Sequence, residues 1–142
     1  MSGIDMHIHT TASDGLFTVP QIVEKAKVMG LNGIAITDHD TINGLREINK
    51  VSEAEDFLIL PGIEISTIWE GKSVHLLGYL FDWQNTALQQ WLAVRLTERI
   101  ERAKEIIIHL RDIGVDLEEE EILAQQNIGS LGRVHIGLAM IK

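Results

Sequence analysis

At 142 residues, with 45% hydrophobic and 23% charged content, the chain falls among single globular domains and outside the range of disordered sequences. It has no cysteine, which excludes disulfides and thiolate metal sites, leaves imidazole and carboxylate to hold any transition metal, and suits a reducing cytoplasm. A net charge of -9 counts against a protein that coats duplex DNA through a basic face, but not against a phosphate substrate, because bound divalent ions set the local potential of a site.

The opening MSGIDMHIHT lacks a basic stretch followed by an apolar one, and nowhere do about 18 apolar residues run together. The expectation is a soluble, unexported protein with no membrane partner. Residues 3 to 8, GIDMHI, read as a strand with His7 and His9 at its C-terminal end, and TTASDG reads as the loop that follows. Thr18 with Gln21 fits a capping box. Ile22, Val23, Ala26 and Met29 follow at helical spacing, and Gly30 fits a helix stop.

GIAIT, residues 33 to 37, is a short apolar β-branched run of the kind buried on both faces of a parallel sheet, with His39 just past its end. A helix is expected over about 42 to 54, carrying Leu45, Ile48 and Val51 on one side. FLILPGIEIS then reads as a strand with Glu64 at its far end, and SVHLLGYLF as another with His75 inside it. Strand, helix, strand, helix, strand implies right-handed βαβ units and a parallel sheet or barrel. From about 85 to 113 the periodicity is helical, EEEE at 118 to 121 opens a further helix, and SLGRVHIGLAMIK reads as a third.

Side chains two apart on a strand share a face, so His7 and His9 can reach one ion together. Asp5 has the same parity and can ligate, cap the strand, or orient a histidine from behind the metal, the last being the preferred reading. A lone strand histidine is more often a packed core residue than a ligand. Here four of six histidines, with Glu64, fall at strands or strand ends, where α/β barrels assemble their sites.

Asp38 and Asp40 flank His39 in TDHDT and are read as its support, with helix capping by Asp40 or Thr41 as the plainer role. A glutamate inside PGIEIS is costly to bury as an anion unless it meets a cation, and bridging two ions would satisfy both oxygens. The alternative for Glu64 and His75 is an outward position on an exposed strand face.

Ser130, Arg133 and His135 in GSLGRVH lie near a helix start, an arrangement suited to phosphate, although a plain cap at Ser130 and a surface charge at Arg133 fit as well. His109 shares a helical face with Arg102, Glu105 and Asp112, opposite Ile106, Leu110 and Ile113, and is read as solvated.

In order along the chain, DMHIHT, the SDG loop, ITDHDT, PGIEIS and HLLGY resemble the successive motifs of the PHP family, named for polymerase and histidinol phosphatase. The later helical part with GRVHIG is similar to the insertion of the small bacterial branch acting on nucleotides and short RNA or DNA ends. The resemblance implies an α/β fold: the N-terminal portion of a distorted (β/α)7 barrel over residues 1–83, with a helical insertion over 84–142.

It further implies up to three divalent ions, manganese, zinc or iron. His7, His9 and Glu64 would hold one, Glu64 and His75 would share a second, and Asp14 and His39 would hold a third, Asp14 standing where some members have histidine. Ser130, Arg133 and His135 would face the substrate phosphate, and the catalytic set would be Asp14, His39, Arg133 and His135. Val134 stands where the branch usually has proline, and the family's later histidine and terminal Asp-x-His ligands have no counterpart here. With four or so strands where a closed eight-stranded barrel takes about 250 residues, the chain is read as a truncated protein or a fragment.

The expected function is hydrolysis of a phosphate ester, with a nucleotide or short oligonucleotide as partner, by water activated on clustered metals. Two other readings stand beside it: a catalytically incomplete metal-binding or structural module, and a metal-dependent amidohydrolase, against which TDHDT and PGIEIS speak.

Overall fold

The computed structural model describes residues 3–51, 57–124 and 129–141. Strand β1 (Ile4–Ile8) leads through a loop into helix α1 (Val19–Val28), and β2 (Gly33–Ile36) follows. Gln21 accepts a hydrogen bond from the Thr18 amide at 2.9 Å, closing the first turn of α1, and Gly30 ends the helix with φ of 76°. Val19, Ile22, Val23 and Ala26 face the sheet, whereas Met29 is exposed.

The helix expected over 42 to 54 is instead a 3-10 helix over Gly44–Lys50, and residues 52–56 lie outside the described residues. Leu45, Ile48 and Val51 explain the difference: a spacing of three matches 3.0 residues per turn better than 3.6. Ile42 and Leu45 are buried, and Ile48 and Val51 pack against the same core.

β3 (Leu58–Trp69) and β4 (Lys72–Tyr79) complete a four-stranded sheet in the order β1-β2-β3-β4. The first three strands are parallel, as expected; β4 is antiparallel to β3, which corrects the all-parallel reading. The cause is local. β3 runs on to Trp69 and reverses through Glu70 and Gly71, both with positive φ (49° and 75°), a two-residue loop whose twist suits a tight hairpin. Glu64 accordingly lies in the middle of β3 rather than at its end.

Among the described residues three helices follow: α2 (Thr86–Asp112), α3 (Glu119–Ala124) and α4 (Arg133–Met140). Two apolar cores form. One lies between the sheet and α1 and includes Ile34, Ile36, Leu45 and Ile63; the other joins Ala103 and Ile107 of α2 to Ile122, Leu131 and Ile136. Leu92 of α2 belongs to the first, so one long helix is rooted in both. Each fully buried leucine or isoleucine contributes roughly 1.5–3 kcal/mol. Among the described residues, no helix is long and apolar enough to cross a membrane.

Candidate metal centre

The parallel alignment of β1, β2 and β3 brings their C-terminal ends to one side of the sheet. His7 and His9 arrive from β1, His39 from the turn after β2, and Glu64 from β3, where it pairs with His39 through Glu64 N–H to Asp38 O and Asp40 N–H to Glu64 O. β4 adds His75, opposite Ser66 in the hairpin.

Glu64, only 4% exposed, is the hub. Its Oε2 lies 2.9 Å from His7 Nε2, 2.8 Å from His9 Nε2 and 3.5 Å from His39 Nδ1, while Oε1 lies 2.6 Å from His75 Nδ1. Asp14 closes the cluster, with Oδ1 2.8 Å from His9 Nδ1 and Oδ2 3.7 Å from His39 Nε2. The six side chains form three overlapping triads, each with donor atoms within 4.8 Å of one another: His7, His9 and Glu64; His9, Asp14 and His39; His39, Glu64 and His75.

These donors fit a cation. Among the described residues His39 Nδ1 is buried without a hydrogen-bond partner, a costly state unless something else satisfies the nitrogen. His7 Nε2 and His9 Nε2 stand 3.1 Å apart beside the same carboxylate oxygen, and two lone pairs converging there are best shared by a metal ion. Nitrogen and carboxylate oxygen without sulfur suit manganese, zinc and iron.

Electrostatics separate the histidines. Burial pushes His39 down to about 4, against the pull of Glu64 and Asp14, so it is a neutral donor near pH 7. Burial also disfavours the charged form of His9, but the hydrogen bond and charge of Asp14, with Glu64 and Asp38, outweigh it and raise the pKa. The hydrogen bond from His9 holds Asp14 at about 2 despite burial. Burial raises the Glu64 carboxyl, yet the hydrogen bond from His7 and the surrounding imidazoles bring it below its ordinary value.

Among the described residues, none of the three aspartates expected as support hydrogen-bonds to an imidazole. Asp5 is exposed and accepts the His7 amide. Buried Asp38 accepts Thr10 N–H at 2.7 Å, Thr10 O–H at 2.8 Å and Ser13 O–H at 2.6 Å, and so shapes the loop that carries Asp14. Asp40, at φ of 50°, accepts Ser66 N–H and Arg99 Nε. Asp38 and Asp40 lie past the end of β2, where each is taken up by its own hydrogen bonds. Asn43 N–H is taken up by Thr41 Oγ1 at the start of the 3-10 helix.

A cavity of about 140 Å³ opens beside the cluster, lined by Asp14, His39 and His75 and also by Arg99, Arg102 and Arg133. Arg133 is therefore brought to the centre. His135 is turned to an adjoining cavity with Ser13, Asp14 and Leu16, and its Nδ1 accepts the Gly132 amide at 3.0 Å. Ser130 is 1% exposed, its hydroxyl lacks a hydrogen-bond partner among the described residues, and it lines neither cavity. The expected phosphate trio is thus divided.

Arg99 escaped the sequence reading. It donates to Asp40 Oδ2 at 2.8 Å, Leu131 O at 3.1 Å and Ser66 Oγ at 3.3 Å, tying α2, β3 and the start of α4 together behind the cavity. Arg102, grouped with the solvated face of α2, lines the cavity as well. The available signal was their spacing of three on the helix that also carries buried Ala103.

The PHP domain family model matches residues 5–130. The 5'-3' exoribonuclease Rnm of Salmonella typhimurium is 34% identical over 142 residues, covering 97% of this chain and 48% of the relative. A 3',5'-nucleoside bisphosphate phosphatase of Chromobacterium violaceum is 31% identical over 115 residues, 81% of this chain and 40% of the relative. A structure from Bifidobacterium adolescentis assigned as a metal-dependent phosphoesterase superposes with a TM-score of 0.89 at 34% identity, over 99% of this chain and 50% of that one. The chain thus spans less than half the length of these two curated relatives. With the motifs, the strand order and a match over most of its residues in agreement, the chain belongs to the PHP domain family.

Proposed function

We propose that this chain carries the metal-holding part of a phosphoesterase that hydrolyses phosphate esters of nucleotides or the 5' ends of short nucleic acids. The observation that carries the reading is one buried carboxylate, Glu64, gathering four imidazoles opposite an arginine-lined cavity. His7, His9 and Glu64 would hold one ion, His39, Glu64 and His75 a second, and Asp14 with His39 and His9 a third. Such ions, when bound, lower the pKa of water toward neutrality and neutralise charge on a phosphoryl group.

The chain's own groups do the rest. Arg133 holds a phosphoryl oxygen through its planar fork, Arg99 keeps the start of α4 in place, and His135 fixes the first turn of that helix by accepting the Gly132 amide. Asp14, anionic at neutral pH, is both one of the proposed metal donors and part of the cavity lining, and is the group best placed to orient a water molecule. The absence of cysteine supports a cytoplasmic setting.

A second reading is a metal-binding module without turnover, since the three donor triads would hold ions whether or not turnover follows. Phosphate release from a nucleoside 3',5'-bisphosphate and from a short 5'-phosphorylated RNA, measured with manganese and after chelation, separates the two. The phosphoesterase reading expects turnover that chelation abolishes and that falls at least ~1000-fold in His39→Ala and Glu64→Gln. Metal binding without turnover on either substrate supports the module, and chelator-resistant turnover contradicts both.

A further inference from the structure

We propose that Tyr79, the last residue of the HLLGY run, is a positioning residue that holds the metal donor His7 in place through the backbone of β1. The proposal rests on the metal-holding reading and adds to it a residue outside the six donors. The register of β1 on β2 slips beside the first donor. Asp5 pairs with Ile34 and Ile8 with Ile36, so β1 advances three residues where β2 advances two, and the extra residue falls at Met6 or His7. Such an insertion, uncommon between parallel strands, bends the strand locally and re-aims a side chain. Side chains then hold both polar atoms of the Met6–His7 peptide: Tyr79 Oη donates to Met6 O at 2.7 Å, and His7 N–H donates to Asp5 Oδ1 at 3.1 Å. A peptide unit is planar, so fixing its carbonyl and its amide fixes the direction in which His7 leaves the strand, toward Glu64 Oε2 at 2.9 Å.

The two holds are of different kinds. Asp5 is exposed and acts within its own strand, whereas Tyr79 reaches β1 from the opposite edge of the sheet, with β2 and β3 between. Neighbouring strands stand about 4.8 Å apart, so in a flat sheet β1 and β4 would be separated by about 14 Å, farther than a tyrosine reaches. The bond forms because the sheet curls toward its donor face. Tyr79 pairs with Gly62, Leu77 with Glu64 and His75 with Ser66, which puts the ring on the same face as Glu64 and His75. It passes over Gly62, where a Cβ would lie 3.2 Å from Tyr79 Cδ1 and 2.8 Å from Thr37 Cγ2, so the missing side chain leaves the path open. His7 is also the donor that needs such a hold. Its side chain is 48% exposed, the most of the six, so packing does little to fix it and its direction is set by the backbone.

The test measures equilibrium manganese binding by the parent chain, Tyr79→Phe, His7→Ala and the double variant. Thr67→Val, which removes a hydroxyl bonded to Val74 O in the same hairpin, is the control. Tyr79→Phe deletes one hydroxyl and keeps the ring over Gly62. It should weaken one bound ion by about tenfold or more, with Thr67→Val staying within about twofold of the parent. In the His7→Ala background, Tyr79→Phe should change binding less than about twofold, because a hydroxyl that acts through His7 has nothing left to position. Parent-like binding in Tyr79→Phe, or the same loss with and without His7, overturns the proposal. The metal-free chains give a second readout. In proton NMR at one pH, Tyr79→Phe should shift the ring signals of His7 and leave those of His39 and His75 in place; no shift, or equal shifts in all three, overturns the proposal. A parent chain that takes up no manganese yet shows the selective shift removes the metal reading and keeps the positioning role.

Discussion

At the scale of single residues, His39 and His9 sit one ring apart, 4.5 Å between centroids, and titrate in opposite directions. The folded pKa of His39, about 4, lies below the unfolded value of 6.5, so the unfolded chain takes up a proton first as pH falls. The metal-free chain therefore loses this contribution to stability between pH 6.5 and 4. His9 has the opposite sign: its contribution is full below 6.5 and is lost as pH rises through its raised folded value. Proton NMR titration of the metal-free chain should give a midpoint near 4 for His39 and above 6.5 for His9; the reverse order contradicts the described burial and pairing. Metal affinity should weaken in acid, because His9 must release its proton to ligate. Glu64 and His75 were legible as polar residues in apolar runs and His7 with His9 by their shared strand face, whereas Asp14 and His39 sit in polar segments, TTASDG and TDHDT, and Asp14 was legible only through the family motifs. Arg99 and Arg102 were not legible, since an arginine on an amphipathic helix has the same appearance whether it faces solvent or a cavity.

At the scale of elements, the loop carrying Asp14 is fixed by Asp38, which gathers two hydroxyls and one amide in a buried position. Asp38→Ala strands three donors and should destabilise the chain by about 3 kcal/mol in denaturant unfolding, whereas Asp5→Ala, on an exposed carboxylate, should stay within about 0.5 kcal/mol. Similar values for the two would mean that the loop is held in some other way. Gly44 packs against the same group: a Cβ there would collide with Asp38 Oδ2 and press on Thr10 Oγ1, so Gly44→Ala should also destabilise, by about 1–3 kcal/mol. Strand and helix order was readable from periodicity, and α2, α3 and α4 lie where helical spacing and acidic start signals indicated. The direction of β4 was missed because an apolar run reports burial and says nothing of pairing; only the Glu70–Gly71 turn between the runs carries that information. Asp38 and Asp40 bond to backbone, hydroxyl and guanidinium groups, a choice of partners that adjacency to His39 in sequence does not reveal.

At the scale of the whole molecule, α2 joins the two apolar cores, with Leu92 in one and Ala103 and Ile107 in the other, and it also carries Arg99 and Arg102. We therefore propose residue 84 as the start of an inserted helical subdomain whose role is to present Arg99, Arg102 and Arg133 to the metal centre. The family match covers both parts, while the curated relatives continue well beyond the length of this chain. The central claim is that His7, His9, Asp14, His39, Glu64 and His75 together form a metal site. Its most direct test is elemental analysis of the chain and of Glu64→Ala, purified and equilibrated with manganese, zinc or iron. At least one tightly held ion per parent chain, lost in the variant while the circular dichroism spectrum is kept, is the expected result; equal metal content in the two, or none in the parent, contradicts the claim.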